Sequence, residues 1–185
     1  MAENLKLTLT NNQAIRVGTF SGGETSWTPT GDGSGNDYNE AISANTKANV
    51  NGGNWYYPWY AATAGQGTNA SSPSITRSIC PKGWKLPNGG ANAAPSFQSL
   101  ATTYSIGNNT AGSTKLQSAP LSYYNTGRYW DGGLEATSNG YYWSASLNTS
   151  NSAGAYSLSF SSSSVNFQYE GYKVHGSSVR CVAIP

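Results

Sequence analysis

The sequence predicts an α+β fold in which two short helices precede an antiparallel sheet and long loops join the elements. Three observations point to it. A charged fraction of 10% against an aromatic fraction of 12% is the reverse of a disordered chain, which lacks aromatics and carries high net charge. Apolar residues recur at helical spacing only once with clarity, near residue 97. After Pro120, by contrast, the chain alternates apolar and polar residues between Gly, Ser and Asn turns.

The elements follow in chain order. "LKLTLTNNQAIRVGTF", residues 5 to 20, alternates about "NN" and reads as strand, turn and strand. Residues 21 to 54 are dominated by Gly, Ser, Thr, Asn and Asp and read as a long loop region. "NWYYPWYAATAG" brings aromatics together around Pro58, a cluster expected to be buried in part. Pro95 suits the first turn of a helix, and Phe97, Leu100, Ala101 and Tyr104 then share one face, which predicts a helix over about 95 to 105. A second helix is expected near 110 to 117, with Leu116 inward.

Four later segments alternate with period two: "YYWSAS", "AYSLSF", "SVNFQYE" and "SVRCVAI". Tyr156, Leu158 and Phe160 are expected on one face with Ser157 and Ser159 on the other. Likewise Val165, Phe167 and Tyr169 are set against Asn166 and Gln168, giving one buried and one wetted face.

Composition narrows the function. The ten Lys and Arg residues are scattered and the net charge is only +2, without the dense cationic footprint that nucleic-acid binding requires. No run approaches the apolar length of a membrane helix. The first residues, "MAENLKLTLTNN", do not read as a secretory signal.

Enzyme chemistry finds little support. There is no G-x-S-x-G elbow, the acidic residues form no close pair, and the lone His175 reads as a surface loop residue. No metal or other cofactor is expected. "GDGSGNDYNE" places Asp32, Ser34 and Asn36 at the spacing of a calcium loop, but Asp37 stands where Gly is needed and Ser43 where a bidentate Glu belongs. A polar turn is the better reading. The Asn-x-Ser matches at Asn69 and Asn148 read as chance.

Cys80 and Cys181 allow two states. Bonded, they close a loop of roughly 100 residues, worth about 4 to 5 kcal/mol in the chain-entropy model; free, they are small buried apolar groups. A chain poor in Lys and rich in Tyr, Ser, Asn and Gly favours the bond and an extracytoplasmic setting. Tyr, Trp, Ser, Gly and Asn are also the residues of antibody paratopes, where rigid aromatics combine with adaptable hydrogen bonding. The segment from Tyr123 to His175 has this composition throughout.

"ICPKGWKLP", "GYYWSAS" and "GSSVRCVAIP" together resemble the bacterial C-type-lectin-like domains of the Fibrobacter succinogenes major paralogous domain kind. The resemblance spans about residues 55 to 185, with residues 1 to 54 as a separate hairpin and loop region. It implies a C-type lectin-like fold with a twisted antiparallel sheet, chain ends brought together and a Cys80–Cys181 bond. Trp84, Leu86, Trp143, Val179 and Val182 would be scaffold. Similar folds carry the variable proteins of diversity-generating retroelements, whose changeable positions hold residues of the Asn, Ser, Tyr, Asp, Gly and His types. The Glu-Pro-Asn or Gln-Pro-Asp and Trp-Asn-Asp motifs of calcium-dependent sugar binders have no counterpart, and "YWDGG" is a faint echo of the latter. The catalytic cysteines of the formylglycine-making enzymes on a related fold are missing too.

The expectation is a non-enzymatic binding module at an extracellular, cell or virion surface. Its partner is a protein, or alternatively a glycan bound without calcium, on another cell or surface. A third alternative is an adhesin-like structural subunit that docks through residues 5 to 20. Contact residues are expected at Tyr129, Trp130, Asn148, Asn166, Gln168, Tyr169 and His175, the first three in turns. Replacing Trp130 with Ala should then remove about 2 kcal/mol or more of binding and leave the thermal midpoint nearly unchanged.

Overall fold

The computed structural model describes residues 4–5, 55–63, 78–81, 83–90, 96–130, 133–151, 153–173 and 175–183. The expected hairpin at 5 to 20 (apart from Leu5), the loop region at 21 to 54 and the calcium-like stretch at Asp32, Ser34 and Asn36 lie outside them. A single helical turn, α1 (Trp59–Ala62), is followed by the short strand β1 (Trp84–Lys85), then by helices α2 (Phe97–Tyr104) and α3 (Thr110–Gln117). Six further strands close the chain: β2 (Arg128–Trp130), β3 (Gly133–Glu135), β4 (Gly140–Leu147), β5 (Gly154–Phe160), β6 (Val165–Tyr172) and β7 (Val182–Ala183). The result is α+β, with three antiparallel sheets among the described residues, β1–β7, β2–β3 and β4–β5–β6.

Both expected helices form, because their ends are capped locally. Ser96 opens α2 with a reciprocal capping box to Ser99, and left-handed Ser105 closes it. The cap sets the start at Phe97, two residues after the expected Pro95. Asn109 caps α3 by accepting from the Gly112 N–H at 2.8 Å. Phe97 and Leu116 are fully buried and Leu100 and Ala101 pack beside them. Tyr104, expected on the same apolar face, is 40% exposed because it ends the helix.

The β4–β5–β6 sheet divides two cores. On the helix side, Tyr142, Leu158, Phe160, Val165 and Phe167 pack with Phe97, Ile106, Leu116 and Tyr123. The other cluster gathers Trp143, Ala145, Leu147 and Ala155 with Tyr57, Trp59, Leu86, Val179 and Cys181. Gly140 is required by close approach, since a Cβ there would meet the Phe160 ring at 2.3 Å. The aromatic cluster around Pro58 is more deeply buried than expected: Tyr56, Tyr57 and Trp59 are fully covered.

The expected wetted face is corrected for β4 and β5. Every residue of β4 is buried, and so is Ser157 on β5. Serines fill these positions because they complete backbone hydrogen bonding where the β4–β5 register shifts between Trp143 and Leu147. Ser144 Oγ donates to the Tyr156 carbonyl at 2.6 Å and accepts from the Ser146 N–H, while Ser146 Oγ accepts from the Gly89 N–H. Buried polar groups persist only with such partners.

The last segment, expected as one strand, forms only the two-residue β7. Its earlier residues each bond to a different neighbour: Ser177 to Tyr57, Ser178 to Tyr141 and Trp143, and the Val179 carbonyl to the Leu5 N–H at 2.8 Å. Residues 175 to 181 are therefore buried without alternation. Cys80 and Cys181 are bonded, tying the segment just before β1 to the one just before β7. Of the expected scaffold residues, Leu86, Trp143 and Val179 are core, whereas Trp84 and Val182 are half-buried on the β1–β7 pair.

Candidate functional site

One end of the sheet's second face runs by cross-strand pairing from buried Tyr141 through half-buried Ser159 to exposed Asn166. Tyr141 of β4 lies opposite Ser159 of β5, which lies opposite Asn166 of β6. Directly opposed residues share a face, so these three form one row. The row continues to Tyr169, whose ring meets that of Tyr141 edge-on at 5.5 Å. Asn139 reaches the same place, its Nδ2 donating to the Tyr141 hydroxyl at 3.2 Å.

Tyr169 joins this face because of a bulge. Ser157 pairs with Tyr169 and Ser159 with Asn166, so the single residue Leu158 faces both Phe167 and Gln168. One extra residue reverses the facing of everything beyond it. Val165 and Phe167 accordingly enter the helix-side core, while Tyr169 turns to the opposite face. This corrects the expected set of Val165, Phe167 and Tyr169 against Asn166 and Gln168.

Arg128 lies over the row from the β2–β3 hairpin. Its guanidinium donates to the Tyr169 hydroxyl at 3.1 Å and stands 5.4 Å from the Tyr141 ring centroid, a cation–π distance. Directly opposite on β3 is Glu135, whose Oε2 is 3.9 Å from Nη2. That separation and the exposure of Glu135 make the ion pair weak. The Arg128 side chain remains 17% exposed.

The expected contact residues divide between surface and interior. Asn166 and Gln168 are exposed and Tyr169 is half-buried. Tyr129 lies on β2 and not in a turn; it is 7% exposed and packs with Tyr56 and Leu134, bonded through its backbone to Gly176. Trp130 ends the same strand opposite Gly133, again not in a turn, and its side chain is outside the described ones. Asn148 is 3% exposed; its Oδ1 accepts from the Ser150 N–H at 2.9 Å, so its amide shapes the β4–β5 connection. That burial also keeps its glycosylation motif from being presented.

His175 is not the expected surface residue. It is 3% exposed, with its ring edge-on to Tyr172 at 5.4 Å. Burial, and secondarily the positive charge of Arg128, lower its pKa to about 4. Two other titrations are displaced by burial: Tyr123 is raised to about 12 despite Arg180 4.2 Å from its ring centroid, and Tyr142 is raised further.

Sequence reasoning passed over Arg128, Asn139, Tyr141, Ser159 and Glu135. A signal was present for two of them: in a chain this poor in charge, an Arg and a Glu bracket "YWDGGL". Among the described residues no group of three metal-ligating side chains occurs, and no helix is long and apolar enough to cross a membrane. No family model, curated protein or solved structure matches the chain.

Proposed function

We propose that this chain is a non-enzymatic binding protein of C-type lectin-like architecture, displaying a Tyr-, Ser- and Asn-rich surface to a protein on another cell or virion. The observation that carries the reading is the Tyr141–Ser159–Asn166 row with Tyr169 and Arg128 above it. Rigid aromatic side chains, a held cation and short polar groups from four strands meet there at one partly exposed place. Such a mixture suits protein recognition, where a few aromatic and Arg residues dominate binding.

The architecture is supported by the order of helices before sheet, by Leu86, Trp143 and Val179 in the core, and by closure of the chain through β1–β7 and Cys80–Cys181. Ser159, Asn166 and Tyr169 lie outside both core clusters and are of the Ser, Asn and Tyr types of such variable positions, which fits a retroelement-diversified surface. A sugar-stacking role for Tyr129 loses support from its burial.

Sequencing this locus across many cells or virions of one population tests the reading. Codon differences concentrated at exposed positions such as Asn166 and Gln168, traceable to adenines in a template copy and sparing Trp143, Ser144 and Ser157, are the expected result. Uniform codons would remove diversification. Differences spread equally over core and surface would remove the surface reading as well.

A further inference from the structure

We propose that Arg128 is a specificity-determining residue that receives a carboxylate from an Asp or Glu side chain of the protein ligand, in place of Glu135. This rests on the reading of the Tyr141 row as the binding surface. Three observations carry it. The guanidinium is oriented before any ligand arrives, by the Tyr169 hydroxyl at 3.1 Å and the Tyr141 ring at 5.4 Å. Such a planar fork suits carboxylates, and little ordering is lost when it binds one.

Second, Arg128 adjoins a surface whose other members, Asn139, Ser159, Asn166 and Tyr169, are polar residues that are neither acidic nor basic. A partner's acidic group therefore meets one cation among neutral hydrogen-bonding groups. Third, the place is held by a carboxylate on extended backbone already. Glu135 sits on a strand opposite Arg128, yet at 3.9 Å and 45% exposed it is a weak and displaceable partner. A peptide carboxylate reproduces that arrangement more closely than a sugar acid does.

The test is selection of a random-peptide phage library on the intact, disulfide-bonded protein, in parallel with Arg128→Gln, Arg128→Lys and Glu135→Gln. The expected result is enrichment of Asp or Glu at one peptide position by several-fold over the starting library. That bias should vanish with Arg128→Gln, weaken with Arg128→Lys and strengthen with Glu135→Gln, where the internal competitor is gone. Circular dichroism on each variant confirms folding, and Glu135→Gln keeps the test decisive if Arg128→Gln does not fold.

Enrichment without acidic bias, or a bias that survives Arg128→Gln, overturns this proposal and leaves the binding surface standing. Failure of the wild type to enrich any peptide overturns both. Retention of glucuronate-terminated glycans in preference to peptides overturns the choice of a protein carboxylate.

Discussion

The side-chain carbonyl of Asn166 accepts a hydrogen bond from the backbone N–H of Gln168 at 2.9 Å. This contact lies within the β6 bulge, where Gln168 and Phe167 together face Leu158 and the ladder leaves one residue without a cross-strand partner. Asn166 therefore stabilises the local irregularity that turns Tyr169 toward Tyr141 and Arg128. Its replacement by Ala is expected to lower stability by about 0.5 to 1 kcal/mol, since water can reach the exposed amide. Gln168→Ala, which keeps that N–H, should stay within about 0.5 kcal/mol. Urea denaturation of the two variants checks the difference, and equal losses would deny Asn166 this role.

His175 predicts a specific acid sensitivity. Its folded pKa of about 4 lies below the ordinary 6.5, so the folded state favours neutral imidazole. The associated stability is fully present above about pH 6.5 and is lost as pH falls toward 4, with at most about 3 kcal/mol at stake. Urea midpoints measured between pH 3 and 8 should decline through this window. In His175→Gln the decline should be shallower, whatever the variant's stability at neutral pH. Parallel pH profiles would mean that His175 titrates normally.

The Cys80–Cys181 bond spans 101 residues, while the sheet that accompanies it, β1–β7, contributes only two residues from each strand. Reduction, or the double change Cys80→Ser and Cys181→Ser, is expected to cost about 4 to 5 kcal/mol. Comparing denaturant midpoints with and without reductant measures it. A change below about 1 kcal/mol would show that the noncovalent core alone holds the ends together.

The helices were legible because their signals are local. The apolar spacing from Phe97 and the inward Leu116 need no knowledge of distant residues; the caps at Ser96 and Asn109 are equally local but were passed over, so the expected start is Pro95 and not Phe97. Strand existence was legible too, from alternation. What alternation could not carry was facing, since "SVNFQYE" reads the same with or without a bulge and only pairing with Leu158 decides where Tyr169 turns. Nor could it carry the burial of Ser144, Ser157 and His175, which depends on segments arriving from elsewhere in the chain. The surface proposed for binding was read as a composition that includes Asn166 and Tyr169, but the Arg128–Tyr141 contact at its centre arises from register.

Tyr129 and Tyr172 separate core from surface within one neighbourhood. Both are tyrosines in the segment with paratope-like composition, yet Tyr129 is 7% exposed against Tyr56 and Leu134, whereas Tyr172 is 47% exposed. A Cβ at Gly176 would come within 2.8 Å of the Tyr129 Cβ, so the backbone is already close-packed there and cannot easily collapse into a cavity. Tyr129→Ala is therefore expected to destabilise the fold by about 3 kcal/mol or more. Tyr172→Ala loses mainly its edge contact with His175 and should cost no more than about 1 kcal/mol. Thermal denaturation of both variants checks this. A well-folded Tyr129→Ala would return that side chain to the candidate contact surface and redraw the site around the β2–β3 hairpin.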